Sequence, residues 1–321
     1  MDIKSILKDE YCLDNIYIEQ INYGLVDENY KIISSNGTFF FKIYNSISSF
    51  DFKKLHDDLR LLKKSNIPVP LETNRKNKTT SNHFYALYDF TEGKKYDSSI
   101  NQMKSISQIF RKVIQVGISN HEKLSTKPLL FELEDSIHKL LLLSKKTKLP
   151  KEVKSICSEY YYLSKKVKEK IISYIPDKLD CIPLHPDFTE RNFLFSNDSV
   201  VLLCDWQGYS HRILLDELFC AFARFCTSNP FEGYLEEKRM IEFKLELTRG
   251  NKLISTSLYE YAHLFPWLLV RKQICNTPFR INGIFGTIEN RELMIKILLW
   301  SRDFINWLIN NEDMLYKFLR K

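Results

Sequence analysis

The pattern of apolar residues changes along this chain from a period typical of strands to one typical of helices. Residues 11–45 contain short β-prone runs separated by turn formers, and Asn36-Gly37 is a strong hairpin signal. Residues 50–64 switch to helical spacing, and HFYALYDF at 83–90 is again typical of a strand. The first part of the chain is therefore predicted to be a small β-sheet with one helix.

The remainder of the sequence is predicted to be mostly helical. Residues 97–176 are charged, periodic and rich in Lys, Leu and Ile. Within 181–226, the runs NFLF and VVLLC flank the turn former SNDS and predict a short hairpin. Beyond Asp216 the apolar faces keep a helical period to residue 321. The pattern as a whole predicts a mixed α+β fold.

Composition excludes several classes of protein. With 44% hydrophobic and 27% charged residues, the chain can bury a core, and its net charge of +7 is weak evidence for nucleic acid. The longest apolar runs, such as LLLL at 140–143, are far shorter than the roughly 20 residues of a membrane span. Seven cysteines without a CxxC pair indicate reduced thiols. We expect a cytoplasmic protein with no nucleic-acid or membrane partner.

Candidate catalytic residues surround the predicted hairpin. Asp187 and Asn192 lie five residues apart just before it, and Asp205 follows its far end. Because a hairpin brings its two ends together, these three side chains can surround one point. The oxygens of Asn192 and Asp205 suit Mg²⁺, which keeps water and phosphate as its other ligands. Asp187 can then accept the proton of a hydroxyl nucleophile, although such a residue can also merely cap a turn.

This stretch resembles the catalytic loop of the aminoglycoside phosphotransferase and choline kinase-like superfamily. The family pattern is HxDxxxxN, a hairpin, and an Asp often followed by Trp. The chain has HPDFTERN starting at His185, and then the pair Asp205-Trp206. Asp216, at the predicted head of a helix, matches a further family feature.

The N-terminal part resembles the same family in the same order. The segment GLVDENYKI from Gly24 is similar to the nucleotide loop, FFFKIY around Lys42 to the lysine strand, and LYDFTEG to the hinge. The resemblance implies a bilobal α+β protein-kinase-like fold. It places an N-terminal nucleotide-binding lobe at 1–92 and a helical C-terminal lobe, with catalytic loop and acceptor site, at 93–321.

The resemblance also implies ATP and Mg²⁺ as cofactors and gives roles to individual residues. Lys42 would pair with the ATP phosphates. Gly24 would let the backbone turn closely over them, and Asn29 would cap that loop or touch the nucleotide. The backbone around Asp89 and Phe90 would receive adenine.

The chain departs from the family pattern in two places. Pro186 stands where a small residue is usual, so the loop must not need that N–H. The first predicted helix should offer a Glu to Lys42, but Leu55 occupies that place, and Asp58 is the best remaining candidate. His185 is expected to orient the loop by hydrogen bonding.

These features predict an ATP- and Mg²⁺-dependent phosphotransferase, a monomer or homodimer, that acts on a hydroxyl group of a small molecule. Antibiotic, amino-alcohol, homoserine-like and sugar acceptors all remain open. The alternative is a catalytically silent kinase-like binding protein. The presence together of Lys42, Asp187, Asn192 and Asp205 favours the enzyme.

Overall fold

The computed structural model groups the chain into two compact units. One contains Met1–Asp97 and His185–Ser210, and the other Ser98–Leu184 and His211–Lys321. The residues it describes are 2–21, 27–45, 47–73, 84–147, 149–227, 233–284 and 291–321.

The strands of the described residues are short and mostly antiparallel. They are β1 (Tyr17–Gln20), β2 (Glu28–Ser34), β3 (Gly37–Tyr44), β4 (Phe84–Asp89), β5 (Glu122–Ser125), β6 (Lys178–Leu184), β7 (Phe193–Ser196), β8 (Ser199–Leu203) and β9 (Ser210–Ile213).

Helices account for most of the second unit. The helices of the described residues are α1 (Ile3–Tyr11), α2 (Ser49–Lys64), α3 (Ile100–Gly117), α4 (Lys127–Ser144), α5 (Lys151–Tyr174), α6 (Leu214–Phe225), α7 (Glu237–Thr248), α8 (Lys252–Glu260), α9 (Phe265–Ile284), α10 (Arg291–Asn310) and α11 (Glu312–Arg320).

The antiparallel sheet of the first unit, in the order β1-β2-β3-β4, is covered on both faces. Because strand side chains alternate, Phe41 and Tyr85 point to one face, where they join a buried cluster with Leu7 of α1. Tyr44 points to the other face, and its ring meets Phe52 of α2 with centroids 5.5 Å apart. The sheet therefore lies between α1 and α2.

Local signals explain where α2 begins and which face it buries. The Ser48 hydroxyl accepts from the Asp51 N–H at 3.1 Å, which caps the first turn. The inward face carries Leu55, Leu59 and Leu62, all buried. The helix predicted at 50–64 is thereby confirmed.

The hairpin β7-β8 is part of the first unit and pairs with the segment that follows β4. Lys94 N–H donates to the Phe195 carbonyl at 2.8 Å, and Phe195 N–H donates back to Lys94 at 2.9 Å. A Cβ on Gly93 would lie 2.8 Å from Leu194 Cβ, so this close approach needs glycine. The hairpin thus belongs to the same compact unit as the sheet. The lobes at 1–92 and 93–321 stay a prediction.

The second unit is helical around a small sheet in the order β5-β6-β9. These strands were not predicted. β5 is exposed at every position. β6 alternates only over residues 178–181 and then continues as a buried run that contains Pro183, so the pattern of each strand is weak. In the described residues, no helix is both long and apolar enough to cross a lipid bilayer.

A buried ion pair links two helices of this unit. Asp216, in the first turn of α6, accepts from Arg271 Nη2 of α9 at 2.8 and 2.9 Å. Burial raises the pKa of the Asp216 carboxyl, but Arg271 and Lys272 outweigh burial and hold it below its ordinary value. Asp216 therefore stays ionised and paired inside the unit.

Candidate active site

Asp187 lies on the loop after β6, and one side of its carboxylate is held. Thr189 Oγ1 and Asn192 Nδ2 each lie 3.3 Å from its Oδ2, and both donate to it. Asn192 Nδ2 also donates to the Asp187 carbonyl at 2.7 Å. The residue itself is exposed. A carboxylate that is oriented in this way and open to solvent can accept a proton from a bound hydroxyl group.

His185 holds this loop by hydrogen bonds at both of its ring nitrogens. Its Nδ1 accepts from the Asp187 N–H at 3.1 Å, and its Nε2 donates to the Cys204 carbonyl at 2.9 Å. Since a backbone N–H only donates and a carbonyl only accepts, the neutral ring carries its proton on Nε2. The ring is buried and packs edge-on against Trp206, with centroids 4.6 Å apart. The predicted orienting hydrogen bonds of His185 are confirmed.

Pro186 fits this loop without losing a hydrogen bond. The first backbone donor that the loop uses is the N–H of Asp187, which lies one residue later. Proline lacks an N–H, and the hydrogen bond that holds this loop to His185 uses the N–H of the next residue instead.

Asn192 and Asp205 lie at the two ends of the hairpin, as predicted. Asn192 is buried, and its carbonyl accepts from the Cys204 N–H at 2.9 Å, which draws the ends together. Because the Asn192 side-chain nitrogen is used by Asp187, its amide oxygen is left for another partner. Asp205 has φ of 65° and a side chain that is 52% exposed.

Lys42 of β3 reaches Asp205 and a second acid. Its Nζ lies 3.3 Å from Asp205 Oδ1 and 3.0 Å from Asp27 Oδ2, over the ring of Tyr44. Burial lowers the pKa of Lys42, but Tyr44, Asp205 and Asp27 together raise it above its ordinary value. The ammonium is therefore charged over the whole physiological range and suits an anionic ligand.

The acid that contacts Lys42 differs from the predicted one. Asp58 of α2 pairs with Lys54 at 2.5 Å instead, since the two residues lie one turn apart on the same helix face. The prediction of Asp58 is therefore wrong. Asp27, just before β2, is the functional candidate that sequence reasoning missed. Only the strand register, which places Asn29 opposite Lys42, reveals it.

Two of the other predicted nucleotide residues, Asn29 and Asp89, belong to the same sheet as Lys42. Asn29 is buried on β2, and its Nδ2 donates to the Asp27 carbonyl at 3.4 Å. Asp89 ends β4 and is exposed, whereas the Phe90 N–H already donates to the Thr38 carbonyl at 3.2 Å. That amide is thus occupied within the sheet. Gly24 lies outside the described residues. The nucleotide roles of these residues stay predictions.

The donor set at the end of the hairpin has the chemistry of a magnesium site. In the part of the chain that the structure describes, no three His, Cys, Asp or Glu side chains cluster so as to hold a metal ion. Asn192 and Asp205 instead offer one amide and one carboxylate, both hard oxygen donors. Mg²⁺ is commonly held by one or two carboxylates together with water and substrate phosphate. These residues therefore fit the predicted ion.

Comparisons with known proteins agree with this geometry. The model of a family described as "Phosphotransferase enzyme family" matches residues 18–239, more than two thirds of the chain. A search of curated proteins finds no significant match.

Solved structures of kinases resemble the chain over almost its whole length. A spectinomycin phosphotransferase in complex with ADP and spectinomycin has a TM-score of 0.64 at 13% identity, covering 98% of this chain and 95% of that one. An amicoumacin kinase in complex with AMP-PNP and Ca²⁺ has a TM-score of 0.62 at 13% identity, covering 94% of each chain. An ethanolamine kinase from Plasmodium vivax has a TM-score of 0.57 at 11% identity, covering 91% and 83%. The predicted α+β protein-kinase-like fold is confirmed.

Proposed function

Because this chain belongs to the phosphotransferase enzyme family, we propose that it transfers the γ-phosphate of ATP, with Mg²⁺, to a hydroxyl group of a small molecule. The observation that supports this most is the convergence of an oriented carboxylate, two hard oxygen donors and a lysine whose side chain is 13% exposed. Asp187 contacts Asn192, the Asn192 backbone bonds the residue before Asp205, and Asp205 contacts Lys42. Phosphoryl transfer needs these parts because its catalysis is mainly positioning and charge stabilisation.

In the proposed reaction, Asp187 is the general base. The donors Thr189 and Asn192 fix one oxygen of its carboxylate, so the other can meet the acceptor hydroxyl. As the hydroxyl oxygen attacks the γ-phosphorus, its proton passes to Asp187, and the bond to the β-phosphate oxygen breaks. His185 keeps the loop in place and takes no proton itself, because both of its ring nitrogens are engaged.

The phosphates of ATP would be bound by Lys42 and, through Mg²⁺, by Asn192 and Asp205. Lys42 presents a permanently charged ammonium next to Asp205, and it would hold phosphate oxygens. Asn192 and Asp205 would hold Mg²⁺, which when bound neutralises the charge of the phosphates.

The acceptor is proposed only as a class. Spectinomycin, amicoumacin and ethanolamine, which appear in the names of similar structures, include antibiotics and an amino alcohol. We keep antibiotic, amino-alcohol, homoserine-like and sugar acceptors as candidates, and we infer a cytoplasmic monomer or homodimer. All seven cysteines are free thiols, as a reducing compartment requires. The nucleotide-binding role of the sheet and the acceptor-binding role of the helices are part of the same proposal.

An acceptor screen with coupled detection of ADP, followed by Asp187→Asn, tests this function. The variant keeps the shape of the side chain and removes the base, so turnover should fall by roughly 10²–10⁴ while ATP affinity stays within a few-fold. Glu190→Gln, an acid of the same loop, is the matched control and should keep turnover.

Three results would contradict the proposal. Full turnover in Asp187→Asn would show that another group is the base. Absence of ATP binding by the wild type would refute nucleotide use. ATP binding with no phosphorylated acceptor across the whole screen would favour a silent binding protein.

A further inference from the structure

The contact between Lys42 and Asp27 is built into the sheet. In the β2-β3 register, Asn29 lies opposite Lys42 and Glu28 opposite Ile43. Asp27 lies two residues before Asn29. Because side chains alternate along a strand, Asp27 is on the same face of the sheet as Asn29 and its partner Lys42. The two charged groups form a diagonal cross-strand pair, a spacing that long side chains can bridge.

Asp27 is itself fixed at both oxygens. Its Oδ2 lies 3.0 Å from Lys42 Nζ, and its Oδ1 accepts from the Asn45 N–H at 3.1 Å. Both partners come from β3 and the residue directly after it. The side chain of Asp27 is 8% exposed and that of Lys42 is 13% exposed, so solvent screens their attraction little. The other acid beside Lys42, Asp205, is 52% exposed and is also a proposed metal ligand.

Helix α2 offers no competing acid in the described contacts. Its acids are used along the helix: Asp51 at the N-cap with Ser48, Asp57 with Arg60 and Asp58 with Lys54.

The inward face of α2 carries leucines and His56. The His56 ring bonds the Tyr88 hydroxyl at 3.2 Å and the Phe52 carbonyl at 2.9 Å. The same ring nitrogen that bonds Tyr88 also lies 3.5 Å from Glu72 Oε2. The helix therefore reaches the sheet through His56, and none of these contacts directs a carboxylate of α2 at Lys42.

We propose that Asp27 is the positioning residue for Lys42 in this chain, in place of an acid from helix α2. The proposal rests on the proposed function, since it concerns how the phosphate-binding lysine is held. Asp27 directly precedes β2, so the lysine is held by the same hairpin that carries it. A carboxylate fixed in this way keeps the ammonium at one place near Asp205 before any nucleotide binds.

The first experiment measures the pair in the protein without nucleotide. The melting temperatures of Asp27→Asn, Lys42→Met and the double variant form a cycle, and Asp58→Asn with Lys42→Met forms the control cycle. We expect the double variant Asp27→Asn/Lys42→Met to melt clearly above the temperature given by adding the two single shifts. The control cycle should be additive, because Asp58 pairs with Lys54. An additive Asp27 cycle would overturn the proposal whether or not the protein is an enzyme.

The second experiment measures positioning. Asp27→Asn should lower phosphotransfer about 10- to 100-fold, in the range of a small misplacement of a binding group. Asp27→Glu should recover part of that loss, and Asp58→Asn should leave the rate close to that of the wild type, because Asp58 pairs with Lys54. In a Lys42→Met background, Asp27→Asn should add no further loss. An active wild type with an unaffected Asp27→Asn variant would overturn the proposal and leave the proposed function standing. A wild type that transfers phosphate to no acceptor would refute the function, and the nucleotide-free cycle would still show whether Asp27 and Lys42 are coupled.

Discussion

Replacing Asp216 by Asn should destabilise the second unit strongly. The Arg271 side chain is 0% exposed and donates to both oxygens of Asp216, at 2.8 and 2.9 Å. Asn keeps the shape of the side chain but removes the buried charge opposite the guanidinium, which is then paired only with the half-exposed Glu132 in the described contacts. Two charge-assisted hydrogen bonds contribute about 1.5–3 kcal/mol each. Removal of one partner of a buried pair costs about 3–5 kcal/mol, so we expect a loss in that range.

A second acid on the same arginine supplies the control. Glu132 accepts from Arg271 Nη1 at 2.5 Å but is 48% exposed. Water already solvates Glu132, so Glu132→Gln should cost about 1 kcal/mol or less. Urea unfolding followed by tryptophan fluorescence gives both free energies of unfolding. If Asp216→Asn costs less than about 1 kcal/mol, or if both variants cost the same, burial does not decide the strength of these ion pairs.

Three further outcomes are expected. The folded pKa of Asp216 lies below its ordinary value of 3.8, so the contribution of this carboxylate to stability is complete above that pH and is lost as pH falls through the folded pKa. A loss of unfolding free energy in Asp216→Asn that is equal at pH 7 and pH 2 would contradict this. Asp205→Asn should reduce the Mg²⁺-dependent part of the rise in melting temperature with ATP, because it removes the charge of the proposed ligand; an unchanged response would place the metal elsewhere. Gly93→Ala should cost about 1–3 kcal/mol in unfolding experiments, since its Cβ would meet Leu194 at 2.8 Å, whereas unchanged stability would show that the two segments can separate.

Those parts of the fold that depend on near neighbours in sequence were predictable. The hairpin after Asn192 and the hairpin at Asn36-Gly37 follow from turn chemistry, and both form. The convergence of Asp187 and Asn192 needs only that the loop and hairpin close locally, and their side chains do touch.

The parts that depend on register or on distant packing were not predictable. Asp27 meets Lys42 only because β2 and β3 pair in one particular register. The family arrangement of helix and lysine favours Asp58, whereas in the structure Lys54, one turn away, pairs with Asp58. β5 has no apolar alternation. Its pairing with β6 therefore comes from the fold around it rather than from its own sequence.

The backbone of Asp205 limits which mutations this site can accumulate over evolution. At a φ of 65°, only Gly, Asn and Asp are accommodated with little strain, so most replacements there disturb the fold as well as the chemistry. Asn differs from Asp by a single base in the codon and keeps the same conformation. A lineage of such proteins could therefore lose the charge of the proposed magnesium ligand and keep the backbone conformation of the loop. Such a change adds no backbone strain at this position, although it removes the charge that pairs with Lys42.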